Sequence, residues 1–491
     1  MELCDLTIHE LKRLYAQKEV GPSTVLAAVV RRIKEVEAGT GAYIDLELES
    51  AFEQARTAEA RLKAGKPLGE LEGIPVAVTD NLCRAGKKTT CASRMLAEFV
   101  PPNTATAVRN LTAQGAIILG RTNMDEFAMG SSTEYSAVRK PKNPWDPQRT
   151  PGGACGGSAA AVAAGETIAA LGTDTGGAIR LPAAFCGVTG LKPTYGLVSR
   201  YGLVALAASL DQIGPLAKDA QDCALLLNLL TGYDPLDSTS VRKERMDYTR
   251  DLEQTLSGRK IGLPREYFGA ELDEAVRRVL MEAVAQLEAL GAEIVELSLE
   301  LTKYALPAYY IIAAAEASSN LARFDGIRYR QAAPVGEELN AYYTRARTKG
   351  FGPEVKRRIM LGTYILSAEG YKTYYQKAQQ VRTLVSQEFK SAFQEVEALI
   401  TPTAPTTAFK MGERLEDPLS MYSSDLYTVP ASLAGLPAIS VPCGFVGGLP
   451  VGLQIIGRPF AENTILNIAH QYQKRTDYHK ARPPRQKEGT V

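Results

Sequence analysis

Two glycine-rich turns in the middle of the chain are the segments best suited to carry chemistry. One spans residues 152–157 (GGACGG), the other contains Gly176 and Gly177, and a helix of small residues and a short apolar strand lie between them. Glycine lets the backbone approach a ligand closely, and successive exposed N–H groups form a nest for an anion. Such a nest suits a phosphate or the oxyanion of acyl transfer. Tight turns that only serve helix packing are the structural alternative.

Composition and missing motifs disfavour nucleotide and nucleic-acid binding. The chain of 491 residues contains neither G-x-x-x-x-G-K-[ST] nor G-x-G-x-x-G. Its 56 Lys and Arg nearly balance 55 Asp and Glu, so the net charge of +1 gives no field that would attract a polyanion. Hydrophobic residues make up 45% and charged residues 23%, which is typical of a globular protein. We therefore expect no direct nucleic-acid binding.

The cysteines and the amino terminus indicate a cytoplasmic protein. Seven cysteines, an odd number without a close pair, predict reduced thiols and neither a zinc site nor a disulfide framework. The start, MELCDLTIHELKRLY, lacks a basic segment followed by an apolar run, and no stretch approaches the roughly 20 apolar residues of a membrane span. We expect no metal, no cofactor and no membrane contact.

The pattern of apolar residues predicts an α/β protein. A capping box from Thr7 to Glu10 and two further helical patterns, through residues 23–36 and 51–62, precede the first predicted strand at 73–78. Strands then alternate with helices. The further predicted strands are 116–120, 168–172, 260–263, 293–297, 398–400, 438–442 and 452–457, and the main helical segments are 218–231, 272–290 and 354–394. A short GlyLeuPro connection at 448–450 predicts a hairpin and hence a mixed sheet.

Several motifs resemble the amidase signature family. They are GIPVAVTDN at 73–81, GRTNMDEFAMGSSTE at 120–134, KNPWD at 142–146 and the segment 151–196. Two further segments, 201–219 and 433–445, are similar to the A (glutaminase) subunits of tRNA-dependent glutamine amidotransferases within that family. The resemblance implies a large mixed β-sheet covered by helices on both faces.

The resemblance also implies a single domain over residues 1–480. We expect an N-terminal helical region at 1–70, the signature core at 71–233 and the substrate-pocket residues within 234–480. The residues 481–491 are polar and contain prolines, so we expect a frayed tail.

Family enzymes hydrolyse amides with a serine nucleophile, a second serine on a cis peptide and a buried neutral lysine. The matching positions in this chain hold Ala178, Ala154 and Thr79. Neither alanine has a proton to transfer, and a threonine cannot act as a base at neutral pH. Loss of the nucleophile in a comparable triad lowers turnover by a factor on the order of 10⁶.

Residues that recognise the substrate match the family better. The oxyanion hole is implied at Thr175, Gly176, Gly177 and Ala178, and it consists of backbone N–H groups that survive a change of side chain. In the A subunits a tyrosine, an arginine and an aspartate hold the carboxylate and amino groups of glutamine. They match Tyr309, Arg358 and Asp425, whose chemistry suits those roles.

Two further departures from the family lie close to these motifs. Cys155 replaces a serine of the first turn and is a candidate substitute nucleophile, although a thiol needs a base or a cation to become reactive. The segment 134–144 reads EYSAVRKPKNP where the family has a pattern like ENSAFGPTKNP. The changes are Tyr135, Val138, Arg139 and Lys140.

The sequence leaves three hypotheses open. The first is a catalytically silent homologue of the A subunit that keeps an amide-binding or glutamine-binding cleft and acts as a structural or ligand-binding subunit. The second is a working A subunit that hydrolyses glutamine and supplies ammonia to form Gln-tRNA(Gln) from Glu-tRNA(Gln). The third is an amidohydrolase that depends on Cys155. Glutamine or a related small amide and the B and C amidotransferase subunits are the expected partners. We interpret the loss of the triad as natural drift rather than deliberate inactivation, because the changes also include Thr79, Cys155 and the loop 134–144.

Overall fold

A single large sheet forms the centre of the computed structural model, which describes residues 2–329 and 338–484. Eleven strands of the described chain belong to this sheet, and most of them are fully buried. Their bounds are β1 Tyr43–Leu46, β2 Pro75–Thr79, β3 Ile117–Thr122, β4 Ala169–Asp174, β5 Thr189–Lys192, β6 Gln212–Ala217, β7 Lys260–Pro264, β8 Glu293–Leu297, β9 Ala398–Pro402, β10 Ala438–Val446 and β11 Leu449–Gly457.

The sheet is mixed, with the strand order β1-β3-β2-β4-β6-β5-β10-β11-β9-β7-β8. Strand β2 runs parallel to β3 and β4, and β7 runs parallel to β8 and β9, whereas the other neighbours are antiparallel. Gly447 and Gly448 close the β10–β11 hairpin at φ values of 58° and 80°. Glycine adopts such positive φ without a steric penalty. The mixed sheet and the hairpin near 448–450 are therefore confirmed.

Helices cover both faces of the sheet, as the family resemblance implies. Their bounds are α1 Ile8–Gln17, α2 Pro22–Thr40, α3 Leu48–Lys63, α4 Thr106–Ala113, α5 Gly156–Ala164, α6 Arg180–Cys186, α7 Ala220–Leu230, α8 Glu274–Ala289, α9 Ala305–Asn320, α10 Leu339–Gly350, α11 Pro353–Ile365, α12 Ala368–Gly370, α13 Gln376–Ala392, α14 Pro418–Tyr422, α15 Val429–Leu433 and α16 Glu462–Arg475. The predicted capping box is present, because Thr7 accepts from the Glu10 backbone while Glu10 caps the Thr7 backbone.

Three details of the sequence prediction are wrong. Strand β1 lies between α2 and α3, so the N-terminal helices do not all precede the first strand. Its four residues, YIDL, sit at the sheet edge and are too short to show alternation. Strands β5 and β6 were not predicted because their Gly and Pro residues have low strand propensity, which burial between neighbouring strands overrides. The segment 354–394 is interrupted after Ile365, where Ser367 caps a new helix.

Residues near the two ends of the described chain are in contact. Arg482 donates from Nη2 to the carbonyl oxygen of Asp5 at 3.1 Å, so residue 482 of the expected frayed tail is anchored. The rest of that prediction, residues 485–491, lies outside the described residues. Within the two described ranges, every helix is too short or too polar to cross a bilayer.

Candidate functional site

The candidate site lies at the edge of the sheet where β2 and β4 end. These two strands are parallel neighbours, so their carboxyl ends reach the same edge. Thr79 is the last residue of β2, and Asp174, the last of β4, leads directly into the turn 175–178. The strand order thereby places the position of the family lysine beside the implied oxyanion hole.

The GGACGG turn reaches this edge through helix α5, which follows it and packs against β2 and β4. All nine residues of α5 are small and buried, which lets the helix lie close to the sheet. The peptide between Gly153 and Ala154 is cis. The Cys155 N–H donates to the carbonyl oxygen of Ala178 at 3.1 Å, which ties the two glycine-rich turns together. The positions 79, 154 and 178 are therefore neighbours.

None of the three side chains at these positions can transfer a proton as the family mechanism requires. Ala154 is fully buried, and Ala178 offers only a methyl group. The Thr79 hydroxyl lies 3.5 Å from the sulfur of Met124 and 3.7 Å from the sulfur of Cys155. A buried hydroxyl in contact with two sulfur atoms is a poor replacement for an amine base.

The thiol of Cys155 is held by backbone groups of the sheet. Its Sγ donates to the carbonyl oxygen of Thr173 at 3.3 Å and accepts from the N–H of the same residue at 3.3 Å. Burial raises the pKa of this thiol above its ordinary value. Reactive cysteines instead have a depressed pKa and a cationic or basic neighbour. These contacts fit a structural thiol better than a nucleophile.

A buried ion pair supports the turn 175–178. Asp174 accepts from Nε and Nη2 of Arg180, at 3.0 Å each, and both side chains are fully buried. Although burial alone would raise the pKa of Asp174, the guanidinium of Arg180 lowers it below its ordinary value. The other Arg180 donors reach the Thr428 carbonyl, Gln454 Oε1 and Ser432 Oγ at 2.9, 2.7 and 2.8 Å.

The backbone N–H groups of this turn have no hydrogen-bond partner within the described ranges. They belong to Thr175, Gly176, Gly177 and Ala178. The Thr175 hydroxyl instead donates to Asp211 at 2.6 Å, which orients the turn. Unpaired N–H groups in a preorganised turn are what an oxyanion hole requires.

Both glycines of the turn are required by close contacts. A Cβ on Gly176 would lie 2.6 Å from the hydroxyl oxygen of Tyr309, and a Cβ on Gly177 would overlap the Thr428 hydroxyl. Gly177 also has a φ of 144°. Tyr309, implied by the resemblance to hold substrate, therefore packs directly over the oxyanion turn.

Arg358 lies beneath two aromatic rings. Its Cζ is 5.1 Å from the Tyr310 ring centroid and 5.5 Å from that of Tyr422. Nε donates to Glu354 at 2.8 Å, and Tyr422 donates to the same Glu354 oxygen at 2.8 Å. Its two Nη atoms make no hydrogen bond to any residue that the structure describes. They are geometrically suited to a ligand carboxylate.

Asp425 is joined to Arg358 through Tyr310. Its Oδ2 accepts from the hydroxyls of Ser131 and Tyr310 at 2.7 and 2.9 Å. Burial raises the pKa of Asp425 to about 7, so a ligand ammonium beside it would favour its ionised form. Sequence reasoning missed the roles of Tyr310, Ser131 and Glu354. The Tyr309–Tyr310 doublet and the i,i+4 spacing of Glu354 and Arg358 were the available signals.

Comparison with known proteins indicates the same family as the sequence motifs. The Amidase family profile matches residues 24–466. The glutamyl-tRNA(Gln) amidotransferase A subunit of Desulforudis audaxviator is 56% identical over 491 residues and covers 100% of both chains. The corresponding subunit from Moorella thermoacetica is 56% identical over 483 residues, 98% of this chain and 99% of its own. The crystal structure of the Thermotoga maritima A subunit has a TM-score of 0.80 and 42% identity, and it covers 96% of this chain and 94% of its own.

Proposed function

The chain belongs to the amidase signature family, and we propose that it is an A-type amidotransferase subunit that binds a small amide without hydrolysing it. The observation that carries this proposal is the contrast within one site. The oxyanion turn and its Asp174–Arg180 support are intact, whereas Thr79, Ala154 and Ala178 replace the groups that would move protons.

The proposed ligand is glutamine or a close analogue. Its carboxylate would be bound by the open Nη atoms of Arg358, and its ammonium group by Asp425. Its amide oxygen would accept from the N–H groups of the turn 175–178, beneath Tyr309. Buried polar groups of this kind distinguish strongly against ligands that lack the matching group.

The proposal includes partner subunits of the B and C type. The similar proteins from Desulforudis audaxviator and Moorella thermoacetica are named as subunits, and the likeness extends over the whole chain. We propose a cytoplasmic location for this assembly, since the seven unpaired thiols suit a reducing compartment.

A working glutaminase is the second candidate function. It is favoured by 56% identity to amidotransferase A subunits along the full length of the chain. In that case the chain would release ammonia from glutamine for the amidation of Glu-tRNA(Gln). The two candidates differ in one observable, the release of ammonia.

The decisive experiment measures binding and turnover on the same preparations. We expect calorimetry to detect glutamine binding to the purified chain, with ammonia release at the level of a protein-free blank, both alone and with B and C subunits. The triple variant Thr79→Lys, Ala154→Ser, Ala178→Ser should release ammonia, because it restores the nucleophile, relay and base. A matched control, the same variant with Ala178 left unchanged, should stay inactive. Ammonia release by the unmodified chain would refute catalytic silence and establish the second candidate.

A further inference from the structure

Glu354 lies next to the arginine that the proposed ligand would contact. It stands near the start of α11, one helical turn before Arg358, so the two side chains share a face of the helix. Glu354 is 1% exposed, and its Oε1 accepts from Arg358 Nε and from the Tyr422 hydroxyl, at 2.8 Å each. Its Oε2 binds Arg357. Both carboxylate oxygens therefore have protein partners, and Glu354 acts on a ligand only through its neighbours.

The contact with Glu354 determines which atoms of Arg358 are left for a ligand. Nε is used, whereas the two Nη atoms make no hydrogen bond within the part of the chain that the structure describes. The rings of Tyr310 and Tyr422 lie against the guanidinium, with centroids 5.1 and 5.5 Å from Cζ. These contacts hold a long side chain in one orientation before a ligand arrives. Ordering such a side chain during binding would instead lower the affinity.

The charge of Glu354 is maintained within the buried site. Although burial alone would raise the pKa of Glu354, the guanidinium of Arg358 lowers it below its ordinary value, with further help from the Tyr422 hydrogen bond. The carboxylate is therefore ionised at neutral pH, and its hydrogen bond with Arg358 Nε is charge-assisted. The Tyr422 hydroxyl donates to the same oxygen and so fixes Glu354 in turn.

Asp425, which would bind the ligand ammonium group, has separate supports. Its Oδ2 accepts from the hydroxyls of Ser131 and Tyr310, at 2.7 and 2.9 Å. Glu354 takes no part in either hydrogen bond. Loss of the Glu354 carboxylate should therefore affect the carboxylate end of a bound ligand and spare the ammonium end.

We propose that Glu354 is a positioning residue, which holds Arg358 in the orientation that binds a ligand carboxylate and so makes the site selective for ligands with this group. The proposal rests on the proposed function, because it requires a ligand that is bound by Arg358. A carboxylate that only joined α11 to α14 would have a different effect. Its removal would weaken the binding of every ligand alike.

The test compares three amides on the full chain. Glutamine carries both charged groups, γ-aminobutyramide lacks the carboxylate, and glutaramate lacks the amino group. Calorimetry measures glutamine directly and the other two amides by competition with glutamine. In Glu354→Gln we expect the affinities for glutamine and glutaramate to fall about tenfold, whereas that for γ-aminobutyramide stays within about twofold.

Two further variants complete the comparison. Tyr422→Phe keeps the ring beside Arg358 but removes the hydroxyl that fixes Glu354, so it should lower the same two affinities severalfold. It also decides the question if urea unfolding shows that Glu354→Gln does not fold. Glu369→Gln is the matched control, because Glu369 is exposed and lies outside these contacts. It should bind all three amides like the unmodified chain.

The results distinguish the positioning role from the proposed function. The positioning role is overturned if Glu354→Gln, or Tyr422→Phe where Glu354→Gln does not fold, binds glutamine as tightly as the unmodified chain. It is also overturned if γ-aminobutyramide binding weakens as much as glutamine binding, or if γ-aminobutyramide does not compete with glutamine in the unmodified chain. In each of these cases glutamine binding, and with it the proposed function, stands. If the unmodified chain binds none of the amides, the proposed function itself fails and the positioning role fails with it.

Discussion

Replacement of Arg180 by methionine should destabilise the fold strongly. Methionine retains much of the side-chain volume but removes every donor, so the fully buried Asp174 carboxylate loses its two contacts at 3.0 Å. Removing one partner of a buried ion pair costs roughly 3 to 5 kcal/mol. Three further acceptors, on Thr428, Ser432 and Gln454, also lose their donor. The expected loss of unfolding free energy therefore lies toward the upper end of this range.

Urea unfolding followed by far-UV circular dichroism measures this loss. The midpoint for Arg180→Met should fall substantially, while Asp174→Asn combined with Arg180→Met should regain about 2 kcal/mol or more, because no unpaired charge is then buried. How the stabilisation by this ion pair depends on pH follows from the lowered pKa of Asp174. The ion pair stabilises the fold above the ordinary carboxyl pKa, and this stabilisation is lost as the pH falls through the lowered pKa of Asp174. The free energies of unfolding of the unmodified chain and of Arg180→Met should therefore converge in acid.

A loss below about 1 kcal/mol for Arg180→Met would refute this reasoning, since it would mean that water reaches the ion pair. Additive effects of the two substitutions would refute it as well, because residues in direct contact must couple. Arg31→Met is a control for an exposed ion pair, since that arginine and its partners Glu2 and Glu35 all lie on the surface. It should change the free energy of unfolding by less than about 1 kcal/mol.

Two other predictions concern His9 and the thiols. Although burial alone would lower its pKa, Asp222, Asp219 and Glu10 raise the pKa of His9 to about 8 from 6.5. The protonated ring therefore stabilises the fold fully below pH 6.5 and loses this effect as the pH rises through about 8. Urea titrations should show His9→Gln less stable by about 1 kcal/mol in acid and equal to the unmodified chain in alkali; a constant difference would contradict this. Ellman's reagent should find no rapidly reacting thiol in the folded chain and all seven after unfolding, because each cysteine is buried. One fast thiol that disappears in Cys155→Ala would revive the cysteine nucleophile.

The long, apolar strands were predictable because burial on both faces leaves a continuous hydrophobic run. Strands β10 and β11, which are mostly buried, were located to within a few residues. The prediction of β8 at 293–297 also matches its observed bounds, although this edge strand is only partly buried. By contrast, β5 and β6 contain Gly190, Pro215 and a buried lysine, Lys192. Their pairing depends on the neighbouring strands, which local sequence does not report.

The motifs indicate candidate positions for the site but not the contacts between their side chains. The motifs indicate Tyr309, Arg358 and Asp425, whereas the Tyr309–Tyr310 doublet does not reveal that the Tyr310 hydroxyl binds Asp425 while its ring packs on Arg358. Likewise, Glu134 appears in the sequence as an ordinary acidic residue. Only the fold reveals that one of its oxygens is buried without a partner among the described residues. Such properties arise from contacts between distant segments.

The contacts of Arg180 also have a consequence for the order in which the protein forms. Its guanidinium binds partners 248, 252 and 274 residues further along the chain, at Thr428, Ser432 and Gln454. During synthesis, the two glycine-rich turns leave the ribosome long before these partners exist. A chain released early would carry both turns and Asp174 but would lack the three distant acceptors of Arg180. The turn 175–178 therefore gains the full set of Arg180 contacts only when residues 428–454 have folded against it.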